Sequence, residues 1–390
     1  MNKRKRVMLY SALYLFVWNV VIVFPFANGL SAVTLPTTTP RPSSRSPLSL
    51  TLDELSVQLG GKGRAQACWE AYRSGTDPIL GTEAQQRLLQ RPADVATLHH
   101  QTTCHDGTTK LLLQLPDGLQ VETVIIPWPE RQRSTVCISS QVGCRQACTF
   151  CLTGRMGLLR NLSCDEIVSQ VYWAQRVVHS KEMPPIDNIV FMGLGEPADN
   201  VDAVVAAAEC LTDPHRFALT PRRVTISTVA PTPDAFAKLG RAPAVLAWSV
   251  HATRDVLRKQ LVPTTRYSMT ELRDGLVSTL VQRSKRRRNI LLEITLLDQI
   301  NDTIEDAQHL VEFCQPLVAI PGVRVIVNLI PWNDIQVQTG AAAQYRQPSP
   351  ERIEAFQQYL VQQGNLRCFI RTTRGDDELA ACGQLSTRNR

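Results

Sequence analysis

The chain has 390 residues and 44% hydrophobic content, enough to bury a sizeable core, which excludes a globally disordered protein. Its formal charge of +7 is compatible with an anionic partner such as RNA, but on charge alone a slightly basic soluble enzyme is the better reading. The eleven cysteines are odd in number and irregular in spacing. That excludes a small disulfide scaffold and reads as thiols in a reducing compartment, some of them metal ligands.

In chain order, a leader comes first. Lys3, Arg4, Lys5 and Arg6 precede an uncharged run from Val7 to Phe24, and small residues follow at Gly29–Ala32. That is the pattern of a signal peptide. The next stretch, "VTLPTTTPRPSSRSPLSL", is rich in Ser, Thr, Pro and Arg, with no acidic residue before Asp53. That composition resembles a transit peptide. Together they read as a bipartite address to a plastid, with mitochondrion or cytoplasm as alternative destinations. A retained anchor and a plain secretory signal are the competing readings. Residues 1–50 are set aside as a targeting region, removed or outside the fold, which leaves no membrane segment in the mature chain.

Residues 51–100 read as a small helical accessory domain, from "LDELSVQLGGKGRAQACWEAYRSG", broken at Gly60-Gly61. Residues 101–133 read as a β-rich extension, with two apolar runs around Pro116-Asp117-Gly118. From 134 to 385 a different rhythm sets in. The apolar runs "STVCIS", "IDNIVFMG", "RRVTIST", "AVLAWSV", "NILLEITLL" and "RVIVNLIP" recur, with helical stretches between most of them. Alternating βα units predict an α/β fold, a partial (βα)6 barrel, with a last strand at "RCFIRTT". Polar and glycine residues gather just after the strands: the cysteine group, "GLGEP", Ser227-Thr228, Ser249-Val250-His251 and Asn328. Parallel α/β barrels carry their sites at those strand ends.

Cys144-x-x-x-Cys148-x-x-Cys151 puts three thiols in one loop. Three thiolates leave one iron of a [4Fe-4S] cluster open to S-adenosylmethionine (SAM). A zinc site, completed by Cys137 or His105, is the alternative. A C-x3-C-x2-C motif with an aromatic, here Phe150, before its last Cys is the signature of the radical SAM superfamily. The glycine turn with Gly195 and Glu196 is a candidate for the methionine end of the cofactor. Ser227, Ser249, Val250, His251 and Asn328 are candidates for its carboxylate, ribose and adenine.

The strings "CISSQVGCRQACTFCLTG", "VFMGLGEP", "RRVTIST", "SVHAT", "NLIPWN" and "RTTRGDDELAACGQL" closely resemble the radical SAM RNA adenine-C2 methyltransferases of the RlmN type. They run in order from about Val121 to Leu385. The resemblance implies methylation of carbon 2 of an adenosine in large-subunit rRNA and, as in bacterial members, in tRNA. It implies that Cys382 accepts a methyl group from one SAM, and that a second SAM yields the 5′-deoxyadenosyl radical that activates it. It further implies that Cys137 forms a disulfide with Cys382 to release the product, and that Glu122 is the acid/base. An electron donor such as ferredoxin or flavodoxin and a monomeric state complete the expectation. Two other readings stand beside it: methylation at carbon 8, as in the related Cfr-type enzymes, and a catalytically silent RNA-binding assembly factor. The basic run Arg283–Arg288 is either a phosphate contact or a solvated helix end. Arg131, Arg133, Arg155 and Arg160, which flank the cysteine loop, are the better RNA candidates. Arg371 and Arg374 are expected to lower the pKa of Cys382. The remaining cysteines, Cys68, Cys104, Cys164, Cys210, Cys314 and Cys368, read as structural.

Overall fold

The computed structural model describes residues 45–79, 81–90 and 92–387. The leader up to residue 44 lies outside the described residues. The fold nonetheless begins inside the segment assigned to it. Pro47–Ser49 form a 3-10 turn, and Leu48 and Leu50 are buried in the main core because they pack on the helical layer behind the sheet. The Cys210 thiol donates to the Leu48 carbonyl at 3.1 Å.

Four helices follow: α1 (Leu52–Leu59), α2 (Lys62–Ser74), α3 (Glu83–Gln90) and α4 (Pro92–Val95). Thr51 and Glu54 form a capping box on α1, which satisfies orphan amides at its first turn. Trp69 and Tyr72 of α2 are fully buried in the same core as the barrel. β1 (Thr97–Thr103) begins within the stretch read as helical. It is an edge strand exposed along most of its length, so it shows no apolar alternation for sequence analysis to detect. β2 (Thr109–Gln114) and β3 (Gln120–Trp128) are the expected hairpin, paired antiparallel, with Gly118 at φ 84° in the turn.

β4 (Arg133–Ile138) joins β3 antiparallel and then opens the parallel run. A two-stranded ribbon, β5 (Gln141–Cys144) and β6 (Gly157–Asn161), brackets the cysteine loop. Then come α5 (Cys164–Ser180), β7 (Ile186–Phe191), α6 (Val201–Thr212), β8 (Val224–Thr228), α7 (Ala235–Leu239) and β9 (Val245–Ser249). The chain continues through α8 (Asp255–Leu261), α9 (Met269–Gln282), β10 (Asn289–Leu296), α10 (Ile304–Val318), β11 (Arg324–Pro331), α11 (Pro350–Gln362) and β12 (Arg367–Ile370). One ten-stranded sheet results, ordered β1-β2-β3-β4-β7-β8-β9-β10-β11-β12 and parallel from β4 onward. This is the open α/β barrel expected from the alternating runs. Helices α5, α9 and α10 each start with a capping box, on Ser163, Ser268 and Thr303.

The strand period of two sorts the side chains. On β10, Ile290, Leu292 and Ile294 enter the main core, while Glu293 and Thr295 face the barrel interior. On β3, Val121 and Ile125 enter the core, while Val124, Ile126 and Trp128 line a cavity. The interior is therefore where polar groups sit among apolar walls.

The basic run lies at the other end of the strands. Arg283 is buried and donates to the Ala244 carbonyl at 2.7 Å. Arg288 donates to the carbonyls of Arg283, Pro321 and Val281. These two arginines close the N-terminal end of β10, away from the candidate site.

Candidate active site

Cys144 ends β5, and Cys148 and Cys151 lie in the loop before β6. Polar contacts pin this loop on both sides. Gln146 donates to Asp199 at 2.7 Å and accepts from the Thr264 hydroxyl at 2.6 Å. The Thr149 amide donates to the Leu261 carbonyl, and Trp332 donates to the Phe150 carbonyl at 3.0 Å. Ala147 sits at φ 52°, a left-handed conformation that such a fixed loop imposes on a non-glycine residue.

The three thiols line one cavity of about 130 Å³ together with Gly195, Glu196, Ser227, Ser249, His251, Glu293, Asn333 and Cys382. The strand ends therefore converge as the sequence predicts. Ser227 and Ser249 are joined by a hydroxyl contact of 3.1 Å. His251 accepts the Thr295 amide proton on Nδ1 at 3.1 Å, so its proton sits on Nε2. Burial, and then the Arg258 charge, hold its pKa well below the usual histidine value, so the ring is neutral.

Glu196 lines the cavity and also has a structural task. Its carboxylate accepts from the Val229 amide at 2.9 Å, the Ala198 amide at 2.8 Å and the Thr228 hydroxyl. It ties its loop to the end of β8, and burial pushes its pKa up to about 7. The glycines of that loop are also accounted for by packing. A Cβ on Gly193 would come within 2.7 Å of the Ser139 hydroxyl, and one on Gly195, at φ 104°, within 2.6 Å of Gln141. Val250 and Asn328 do not line the cavity. Val250 is fully buried in the main core, and Asn328 donates to Glu293 at 3.0 Å.

Burial raises the thiol pKa of Cys144 and pushes that of Cys148 up to about 12. Thiols in such a place become thiolates when a cation binds them. One cation is built in. Arg258 is fully buried, donates to the Ser249, Val250 and Val229 carbonyls, leaves Nε unpartnered, and opposes the upward shift at Cys148. The donor set fits an iron–sulfur cluster. Among the described residues no three Cys, His, Asp or Glu side chains converge on a single ion. A multi-iron cluster instead takes one thiolate per iron. Neither suggested fourth zinc ligand lines this cavity: His105 pairs with Asp377 at 2.7 Å, and Cys137 lines a second cavity.

That second cavity, about 70 Å³, is walled by Val124, Ile126, Val190 and Ile330 and reached by Trp128, Arg371 and Arg374. Cys382 lines both cavities. Its loop is fastened to the cysteine loop by Leu152 N–H to the Gly383 carbonyl at 2.7 Å and by Thr153 Oγ1 to the Leu385 carbonyl at 2.7 Å. Asn333 donates to the Cys382 carbonyl at 3.0 Å, and Thr373 donates to Asn333. Cys382 is exposed on the wall of the recess. The protein atoms around it push its thiol upward, Glu293 adds to the rise and Arg371 only partly offsets it. Arg371 thus acts in the expected direction without outweighing the rise. Arg374 is engaged elsewhere, over the Trp128 ring at 4.7 Å and 3.8 Å from Asp106. All eleven cysteines, Cys137 and Cys382 included, are free thiols.

Glu122 lines neither of these cavities. It faces a third, larger one with Lys110, Gln384 and Ser386, and accepts the Ser386 amide at 2.6 Å. Of the flanking arginines, Arg160 is committed to Glu166 and Asp117, and Arg155 donates to the Thr339 carbonyl. Glu293, Asn333 and Arg258 were not singled out from the sequence. A lone acid inside the apolar run "NILLEITLL" was the available signal for Glu293.

Fold and site together define a radical SAM enzyme. Residues 138–276 match the Radical SAM superfamily. A solved structure titled as a radical SAM methyltransferase from Sphaerobacter thermophilus superposes with a TM-score of 0.75 at 33% identity, covering 87% of this chain and 99% of that one. The dual-specificity RNA methyltransferase RlmN of Geobacter sulfurreducens is 39% identical over 86% of this chain and 90% of its own. The protein of the same name from Campylobacter fetus subsp. fetus is 34% identical over 89% and 99%. The chain belongs to the RlmN family of radical SAM RNA methyltransferases.

Proposed function

We propose that this methyltransferase modifies carbon 2 of an adenosine, in large-subunit rRNA and in tRNA, through an S-methyl group carried on Cys382. One observation supports the reading above others: Cys382 alone among the cysteines lines both the cavity of the cluster thiols and the cavity of Cys137. A methyl group held there faces the cofactor on one side and the substrate on the other.

Carbon 2 of adenine is electron-poor and does not attack an electrophilic methyl group. The cluster on Cys144, Cys148 and Cys151, with two SAM molecules consumed per turnover, supplies the methyl group and the hydrogen abstraction that activates it. The protein's own residues position the reaction. Asn333 fixes the Cys382 backbone, and the second cavity receives the base after it leaves its stack. Cys137 then resolves the adduct through a disulfide with Cys382. Glu122 exchanges the ring proton once the segment at Ser386 releases its carboxylate.

Anaerobic methylation of rRNA fragments and tRNA with nucleoside mass spectrometry tests this. The expected product is 2-methyladenosine, and 8-methyladenosine would contradict the regiochemistry. Cys382→Ala should abolish methylation while keeping the visible absorption of the cluster. The leader composition supports import into a plastid, and a ferredoxin- or flavodoxin-type donor suits that compartment. A fluorescent fusion of the leader tests the address, and purely extracellular signal contradicts it.

A further inference from the structure

Glu293 stands in the wall between the two cavities and lines both. It lies on β10, is 3% exposed, and projects from an apolar strand into the barrel interior. An acid buried in such surroundings carries a desolvation cost that its contacts must offset. Its Oε1 accepts one hydrogen bond, from Asn328 Nδ2 at 3.0 Å, and no described donor reaches Oε2. Its charge acts on both Cys382 and Cys137.

The acid/base groups lining the Cys382 cavities narrow the choice of proton acceptor. Glu196 has both oxygens engaged, by three donors that tie its loop to the end of β8. His251 has its acceptor nitrogen occupied by the Thr295 amide, so it offers the cavity a donor. Glu122 faces a different cavity. Glu293 has the open oxygen.

We propose that Glu293 is the general base that removes the Cys382 thiol proton as that sulfur accepts its methyl group. The proposal rests on the reading of Cys382 as the methyl carrier. In the step, the Cys382 S–H bond breaks and the proton passes to Glu293 Oε2, directly or through one water. The freed electron pair on sulfur forms the new bond to the methyl carbon. The bond from that carbon to the sulfonium of SAM breaks, and its electrons stay on the departing sulfur, giving neutral S-adenosylhomocysteine. Asn328 holds the carboxylate through Oε1 and leaves Oε2 without a described donor in the wall that Glu293 shares with Cys382. A thiol that is methylated must lose its proton, and a carboxylate lining the same two cavities can take it.

The test uses reconstituted protein with SAM and no RNA, and follows S-methylation of Cys382 by peptide mass spectrometry. Glu293→Gln should slow this step by about a hundredfold with unchanged cluster absorption. If Glu293 merely repels the thiolate, removing its charge eases deprotonation, and S-methylation would be as fast as in the wild type or faster; that result overturns the proposal. Iodoacetamide alkylation of Cys382 depends on the thiolate share and on access, and should be at least as fast in Glu293→Gln, which a collapsed site would not produce. Where Glu293→Gln fails to load the cluster, Glu293→Asp carries the test, with S-methylation slowed several-fold; a wild-type rate there also overturns it. Wild-type protein that never gains a methyl on Cys382 refutes the carrier reading itself. S-methylation retained in Glu293→Gln refutes only the role of Glu293.

Discussion

The two cavities that meet at Cys382 are built on different principles. The first is assembled from strand ends and a pinned loop, with hydroxyls, amides, a buried arginine and three cysteines. The second is apolar in its depth and cationic and aromatic at its rim, with Cys137 at the back and Trp128, Arg371 and Arg374 toward the outside. The first resembles a site for a small charged cofactor; the second resembles a receptor for a flat base on an anionic chain. The two cavities share a wall to which Cys382, Glu293 and Asn333 all belong. Substitutions on the two sides should fail in different ways.

The largest expected effect lies on the cofactor side. Cys148→Ala should lose the cluster absorption and all methyl transfer, both to Cys382 and to RNA, because two thiolates cannot replace three. Anaerobic reconstitution followed by visible spectroscopy checks this, and a retained four-iron spectrum contradicts it. On the substrate side, Trp128→Ala and Arg371→Ala should each raise the KM for RNA about tenfold, the scale of one lost stacking or phosphate contact. S-methylation of Cys382 in the absence of RNA should stay unchanged in Trp128→Ala, whereas Arg371→Ala, which removes a charge acting on that thiol, should slow it. Equal loss of both activities would show that the cavities are not separate.

A smaller effect concerns pH. Burial raises the Glu196 carboxyl from 4.5 to about 7 in the folded protein. The folded chain then holds a proton between those values that the unfolded chain has released. The contribution is fully present below pH 4.5 and is lost as pH rises through about 7. The shift corresponds to about 3 kcal/mol. Cluster-free protein should therefore melt lower above neutral pH than below it, and Glu196→Gln should flatten that slope. A slope unchanged by the substitution would contradict the assignment. The smallest effect is at the far end of the barrel. Replacing Lys285, Arg286 and Arg287 together with alanine should change the KM for RNA by less than about twofold, since that turn lies before β10, away from the strand ends that carry the site.

The same contrast explains what the sequence makes visible. Strand ends carry polar residues in a regular alternation, so the α/β class and the first cavity are legible from "GLGEP", Ser227, Ser249 and the cysteine spacing. The edge strand β1 is polar and mostly exposed, and the ribbon β5–β6 is short, so neither shows a period. Glu196 and Glu122 are visible as acids, but their hydrogen-bond partners come from distant segments, at Val229 and Ser386. Asn328 lies on a strand that carries the site and acts one strand away, on Glu293. The second cavity joins β3, β4, β7 and the C-terminal loop, and no local pattern announces such a junction. Its two thiols were found by resemblance alone.

The most direct measurement follows a labelled methyl group. Reconstituted enzyme is loaded with SAM bearing a deuterated methyl group, freed of excess, and then given RNA and unlabelled SAM. The account predicts label on Cys382 first and in 2-methyladenosine in the first turnover. Unlabelled RNA product from enzyme labelled on Cys382, or labelled product from enzyme whose Cys382 never carried the label, would contradict it.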